Sequence, residues 1–302
     1  MKYYLLEADD NPSTSAEVDS RDLPRTETIK SLVLDITAQQ STTTAATRTN
    51  LAAQIDQIRI GAAESNRVSE IDGEDLDAFN VLNGNHTNFH SSTTDNGRVN
   101  LGMVYPFDPF CMSPEVDFNQ PFGLSGQVAR KVEISYAADG SNIDDKRLAL
   151  GIVTAPTASN GYVAFHRDSF TAANNVNNFT DIPQPGKLLG VFNYETTGAD
   201  DVTTDGAHRS GQTIQEQAVT INRKDVLGTI YTTTAAAMQG GYETSLTDSG
   251  YSFWNLGFTN KVGSLGVPTG NSEIPQNMEI RTKGGSAADA CRVYAVTLNT
   301  NV

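Results

Sequence analysis

Apolar positions recur with a period of two along most of this chain. Leu32, Leu34 and Ile36 form one row, and Ile58 and Ile60 flank Arg59. Val99, Leu101, Met103 and Tyr105 alternate with Asn100, Gly102 and Val104, and Val132, Ile134 and Tyr136 with Glu133 and Ser135. Leu148, Leu150 and Ile152 follow. Strict alternation puts one face of a strand on a core and the other toward water. Further strands are expected over Leu189–Tyr194, Ile214–Ile221, Tyr251–Phe258, Met278–Thr282 and Cys291–Leu298. Thr, Val, Ile and aromatic residues fill these stretches, and Asn, Gly, Asp and Ser fill the gaps between them.

Two stretches read as helix. The first follows Asp72 as N-cap, with Glu74 and Asp75 in its first turn, Leu76 and Phe79 on one face, and Gly84 as a stop. The second runs from about Arg223 to Met238, where Val226, Leu227, Ile230 and Tyr231 have helical spacing and Gly240-Gly241 ends it.

The order of elements repeats. A strand ending Ile58-Arg59-Ile60 precedes a helix and then Leu101-Gly102; a strand ending Val219-Thr220-Ile221 precedes a helix and then Leu256-Gly257. Val132-Glu133-Ile134 matches Met278-Glu279-Ile280. Glycine-bearing turns, Asp139-Gly140 and Gly284-Gly285, then lead to closing strands over Leu148–Val153 and Arg292–Leu298. The offsets of 161, 155 and 146 residues drift smoothly, as two similar β-domains with loops of different length require. The loops at 83–98, 154–160, 196–212 and 259–277 are polar, and most exceed the usual length for a compact domain.

Length agrees with two domains: 302 residues suffice to bury a core without disulfides or metal. The net charge of -15 excludes a polybasic membrane anchor and argues against direct nucleic-acid binding, which needs Lys and Arg against phosphate. No run of about 18 apolar residues occurs. Met1 to Leu6 is too short for a secretory signal before Glu7, Asp9 and Asp10, so the chain is expected to stay in a cytoplasm or leave by lysis. Residues 1–26, acidic and sparsely apolar after Leu6, read as an arm, either frayed or ordered against a neighbouring subunit.

Candidate chemistry is thin. Cys111 and Cys291, the two cysteines, form neither a disulfide framework nor a zinc site and read as small hydrophobes. His86 and His90 lie in a polar loop without the metalloprotease glutamate, and His208 lies in another. His166-Arg167-Asp168 copies a kinase triplet without its companion motifs, and Gly123-Leu124-Ser125-Gly126 falls one residue short of a nucleophile elbow. Carboxylates cluster at Asp72, Glu74, Asp75 and Asp77, at Asp139, Asp144 and Asp145, and at Asp200, Asp201 and Asp205. None has EF-hand spacing, though structural calcium at a subunit interface stays open. Trp254, the single tryptophan, reads as core rather than a sugar platform. No catalytic, cofactor or metal residues are assigned.

The sequence resembles the double jelly-roll major capsid proteins of icosahedral, internal-membrane-containing bacteriophages of the corticovirus and finnlakevirus type. The resemblance rests on Gln120-Pro121-Phe122-Gly123-Leu124 running into Lys131-Val132-Glu133-Ile134. It rests too on Phe165-His166-Arg167-Asp168-Ser169-Phe170, then 178–185 and Leu189-Gly190-Val191-Phe192, and on the ending Glu279-Ile280-Arg281 with Cys291–Leu298. It spans most of the chain from about residue 28. It implies an all-β fold of two tandem eight-stranded jelly rolls with one short helix in each: arm 1–26, first roll 27–157, second roll 158–302. It implies no enzyme, but a homotrimer of pseudo-sixfold shape that tiles an icosahedral shell with neighbouring trimers and a vertex (penton) protein, over a viral membrane or its proteins. The location implied is the virion, with assembly in the host cytoplasm. Long loops would face outward, and the ends nearest the arm would face the membrane, through Tyr3, Tyr4, Leu5 and Leu6. Two other readings are a phage spike or receptor-binding β-protein and a jelly-roll carbohydrate-binding module.

Overall fold

The computed structural model describes residues 2–9, 18–63, 66–83, 89–109, 121–129, 131–138, 142–156, 158–183, 186–195, 213–231, 250–256, 267–268, 277–285 and 289–300. The chain divides into two compact units, Met1–Val163 with Asn301–Val302, and Ala164–Thr300.

In unit 1 the elements are β1 (Lys2–Asp9), β2 (Val18–Asp22), β3 (Thr28–Gln40), α1 (Arg48–Ala52), β4 (Ile55–Ala63), β5 (Asn66–Ile71), α2 (Gly73–Leu82), β6 (Phe89–His90), β7 (Arg98–Pro106), β8 (Leu124–Ser125), β9 (Lys131–Tyr136) and β10 (Ile143–Ala155). One sheet runs β1-β10-β3-β7-β6 with β8 against β3; the other runs β2-β9-β4-β5. The alternating row of β3 is the reason it sits centrally. Leu34 pairs with Leu150 on one side and Met103 on the other, and Leu32, Leu34 and Ile36 are buried. Each such side chain contributes about 1.5–3 kcal/mol by leaving water.

The expectation for residues 1–26 is corrected. Residues 2–9 pair antiparallel with β10, Tyr3 opposite Val153, and residues 18–22 pair with β9, Arg21 opposite Val132. They are strands of the chain's own sheets. Edge strands tolerate this acidity, because charge on an edge blocks unwanted pairing and only one side needs a partner.

The first helix forms where the sequence places it, with Asp72 at the N-cap. Its carboxylate does not cap; it accepts from Gln57 Nε2 at 3.4 Å. Gly73 is required for contact, since a Cβ there would overlap the Ala52 and Ile55 carbonyl oxygens. The short α1, unforeseen, has a reciprocal capping box between Thr47 and Asn50.

Unit 2 comprises β11 (Gly161–Thr171, spanning the division), β12 (Asn177–Asp181), β13 (Gly186–Glu195), β14 (Ile214–Ile221), β15 (Lys224–Tyr231), β16 (Tyr251–Asn255), β17 (Val267–Pro268), β18 (Met278–Gly284) and β19 (Ala290–Thr300). One sheet runs β11-β19-β13-β16 with β17 against β13; the other runs β12-β18-β14-β15. Residues of both sheets, among them Val191, Trp254, Val293, Val219 and Ile280, share one core.

The second expected helix is corrected. Residues 224–231 are strand β15, Ile221 facing Lys224 across a two-residue turn. Asn222 and Arg223 both have positive φ, 50° and 62°, the signature of a type I′ hairpin whose twist matches its strands. The remainder, 232–238, lies outside the described residues. Among the described residues both helices belong to unit 1.

Take the eight principal strands of each unit in chain order: β1, β2, β3, β4, β5, β7, β9 and β10, and β11 to β16, β18 and β19. Both units then have one sheet ordered 1-8-3-6 and the other 2-7-4-5. That is the jelly-roll order, so the fold is a double jelly roll, and the repeat read from the sequence matches β4 to β14, β9 to β18 and β10 to β19.

Candidate functional site

The residues singled out for chemistry are dispersed. His166 is half-buried on β11, and the loss of water around its ring pulls its pKa down to about 4. Its Nε2 lies 2.9 Å from Thr297 Oγ1 and 3.4 Å from Asn299 Nδ2, and the Thr297 hydroxyl donates to Asn299 Oδ1 at 2.8 Å, so the ring is held in a polar triad. Asp168, two residues on, accepts from Thr180 Oγ1 at 2.8 Å across the two sheets. Gly123 to Gly126 form a turn around the two-residue β8, not a strand-to-helix elbow. Ser125 Oγ accepts from the Gln127 amide at 3.3 Å.

Of the first carboxylate cluster, Asp77 takes Arg48 through both its oxygens, at 2.5 and 2.8 Å, and Asp75 is buried. Trp254 is 7% exposed and packs in the unit 2 core, which removes it as a sugar platform. Cys291 is a buried thiol that donates to Phe170 O at 3.5 Å, and burial raises its pKa to about 12. His90 lies exposed on β6. Among the described residues no group of three His, Cys, Asp or Glu could hold a metal, and no helix is long and apolar enough to cross a membrane. His86, His208, Cys111, Asp139, Asp200, Asp201 and Asp205 lie outside the described residues.

What the structure assembles instead is a set of polar ties through the interiors of the two rolls. In unit 2 the carboxamides of Asn193 on β13 and Gln217 on β14 pair reciprocally, each Nδ2 or Nε2 donating to the other's oxygen at 2.9 Å. Their second N–H groups go to Ser252 Oγ and Thr282 Oγ1, both at 3.2 Å. All four residues are buried, and the network is satisfied, which fixes one sheet against the other. A carboxamide on an otherwise apolar inward row, such as Asn193 two residues after Val191, is the signal that sequence reading passed over.

Glu195 carries a similar tie: its Oε2 accepts the Ile214 amide at 3.1 Å, and burial pushes its pKa well above the usual carboxylate value. In unit 1, Lys30 and Asp108 form a buried ion pair at 3.1 Å, with the Phe122 carbonyl as a further acceptor for Lys30.

The outer surfaces divide by character. Three of the large apolar side chains that stay exposed, Tyr3 (58%), Leu5 (55%) and Val18 (60%), sit on the edge strands β1 and β2. On unit 2, Arg281 of β18 bridges Asp225 of β15 at 3.0 Å and Glu216 of β14 at 3.2 Å, tying three strands across a solvent-facing sheet. Ties of this kind maintain a stiff scaffold; they do not align a nucleophile, a base and an oxyanion donor.

No protein-family model matches this sequence, and no curated protein matches it. Solved structures do match over the whole length. The crystal structure of the STIV MCP superposes with a TM-score of 0.65 at 11% identity, covering 100% of this chain and 98% of that one. The crystal structure of the major capsid protein P2 from bacteriophage PM2 gives 0.60 at 11%, covering 100% and 98%. A quasi-atomic model of the PBCV-1 virus capsid gives 0.58 at 9%, covering 99% and 92%. At these identities the likeness is one of fold.

Proposed function

We propose that this chain is a major capsid protein, a structural rather than an enzymatic component of an icosahedral virion. The observation that carries the reading is the duplicated strand order: one chain holds two jelly rolls of identical topology. Three such chains around a threefold axis place six similar units in a ring, a shape that tiles a shell through heterologous contacts repeated many times. The full-length likeness to the capsid proteins supports this reading, as do interiors crossed by buried polar ties.

On this reading the partners are two further copies in a homotrimer, neighbouring trimers, a vertex (penton) protein, and an internal membrane or its proteins. The chain works in the virion after assembly in the host cytoplasm. Tyr3 and Leu5, exposed on β1, are the residues offered for an apolar contact beneath the shell, as part of a sheet edge rather than of a free arm.

Light scattering on the purified chain, with negative-stain imaging of the same fraction, tests the reading. A mass near three times 32.4 kDa with hexagonal outlines is expected. A chain that stays monomeric, with and without added calcium, overturns it.

A further inference from the structure

Water does not reach the ion pair of Lys30 and Asp108. Their side chains are 0% and 1% exposed, with Lys30 Nζ 3.1 Å from Asp108 Oδ2. The Arg48–Asp77 and Arg281–Glu216 pairs, by contrast, leave 28% and 13% of the arginine side chain in solvent. The backbone fixes both ends of the buried pair. The Lys30 carbonyl accepts the Phe107 and Asp108 amides at 2.9 and 3.0 Å, so the strand carrying the amine and the chain carrying the acid are held side by side. Ile29 and Phe107, the neighbours of the pair along the chain, are fully buried, as is Leu124, which stands opposite Ile29. The Phe122 carbonyl also accepts from Lys30 Nζ. Its position is set by Gly123, whose amide donates to Gly161 O at 2.7 Å and whose φ is 139°.

We propose that Lys30 and Asp108 condense to an isopeptide bond, a self-modification that cross-links the first roll. A primary amine and a carboxyl group in contact, out of water, are the two halves of an amide. Buried charges carry a desolvation cost, and a neutral amide abolishes it. The ammonium starts with three protons. One passes to the Asp108 carboxylate, leaving an amine and a carboxylic acid. The Nζ lone pair attacks Cγ, and the acid's hydroxyl leaves as water with a second proton from Nζ. The third proton stays on the new amide nitrogen and donates to the Phe122 carbonyl, while the remaining Asp108 oxygen becomes the amide carbonyl. One C–N bond forms, one C–O bond breaks, and no oxidant or reductant is needed. A desolvated lysine amine is a nucleophile, and fixed proximity supplies an effective molarity of about 10⁵–10⁸ M. The arginine pairs cannot react in this way, because a guanidinium is not deprotonated in proteins. The bond closes the stretch between residues 30 and 108 and removes conformations from the unfolded chain, as a disulfide does. The inference stands apart from the capsid reading and uses unit 1 alone.

Intact-mass spectrometry of the purified full-length protein, unfolded just before measurement, tests it. A mass lower than the sequence mass by one water is expected in most chains. Tryptic digestion is expected to yield a branched peptide joining Lys30 to Asp108, with no cleavage after Lys30. K30M and D108A are expected to show their full sequence masses, and K2M, which removes the amine paired with Glu27, to keep the loss of one water. The mass of the parent chain is decisive whether or not a variant folds. A parent at its full sequence mass overturns the proposal. So does a water loss that maps to a linear peptide, since an aspartate has then closed on its own backbone as a succinimide, and so does a loss that persists in K30M.

Discussion

Asn80 on α2 pairs with Val104 on β7 as a neighbouring strand would: its Nδ2 donates to the Val104 carbonyl and its Oδ1 accepts the Val104 amide, both at 2.8 Å. Among the described residues β6 pairs with β7 at Leu101 and Asn100, and the Asn80 carboxamide pairs with the same strand further along. Asn80 is fully buried. N80A leaves two buried backbone groups unpaired and is expected to cost about 2–4 kcal/mol. N80D, which turns a donor into an acceptor facing the Val104 carbonyl, is expected to cost at least as much. Urea unfolding with an unchanged m-value measures it; a loss below about 1 kcal/mol would show that water replaces the amide.

The Asn193–Gln217 pair makes a different prediction. Truncating either partner alone strands the other's buried carboxamide, so N193A and Q217A are each expected to cost about 2–4 kcal/mol. Replacing both by apolar residues of like volume, N193L with Q217M, removes the unmet demand. Against the single variants N193L and Q217M, the double variant is expected to lose less than the sum of the two single losses, with a coupling of about 1–3 kcal/mol in a double-mutant cycle. Strict additivity would refute the pairing.

Stability should respond to pH through two desolvated groups of opposite sign, the half-buried His166 and the buried Glu195. His166 is neutral in the fold, with its pKa lowered from 6.5 to about 4. The unfolded chain therefore binds the proton first, and stability falls as pH drops from about 6.5 toward 4. Glu195 has its pKa raised, so the fold favours the protonated acid, and stability is lost as pH rises above the unfolded value of 4.5. H166Q is expected to flatten the acid limb of a melting-temperature profile. E195Q, which keeps an acceptor for the Ile214 amide, is expected to raise the melting temperature at pH 7 and to match the parent near pH 4. Profiles parallel to the parent would show that neither group carries the slope.

Arg223 tests the hairpin that replaces the expected helix. Its φ of 62° costs a non-glycine residue about 1 kcal/mol, while its guanidinium lies 4.9 Å from the Phe179 ring centroid, worth about 0.5–1 kcal/mol. R223G exchanges one for the other and is expected to be close to neutral. R223V loses the ring contact and keeps the strain, and is expected to destabilise by about 1–2 kcal/mol. Thermal unfolding of the two variants separates the terms; equal losses would mean that the turn does not hold this geometry.

Much of the fold was legible along the chain. Alternation located β3, β4, β7, β9, β10, β13, β14, β18 and β19, because a strand with one face in a core must write that face every second residue. The duplicated order of those strands implied two similar domains. Asp72 marked a helix start even though its carboxylate serves Gln57. Strands β1, β2, β5, β11, β12 and β15 were not read. Several are edge strands, and an edge is free to carry Lys2, Glu7, Asp19 or Asp225, so its composition resembles a loop. Residues 224–231 have a spacing compatible with either period, and the positive φ at Asn222 and Arg223 settled it.

The sequence by itself determined the periodicity, the tandem repeat, the acidic balance and the lack of any known catalytic pattern, since each is a property of residue types in order. Only the tertiary structure decided which buried polar groups meet. Asn80 finds Val104, Asn193 finds Gln217 and Glu195 finds the Ile214 amide across separations that no local spacing encodes. The same holds for Lys30 and Asp108. Their nearness depends on β3 lying beside β7, an order set by closing the roll and burying one face of each strand at once.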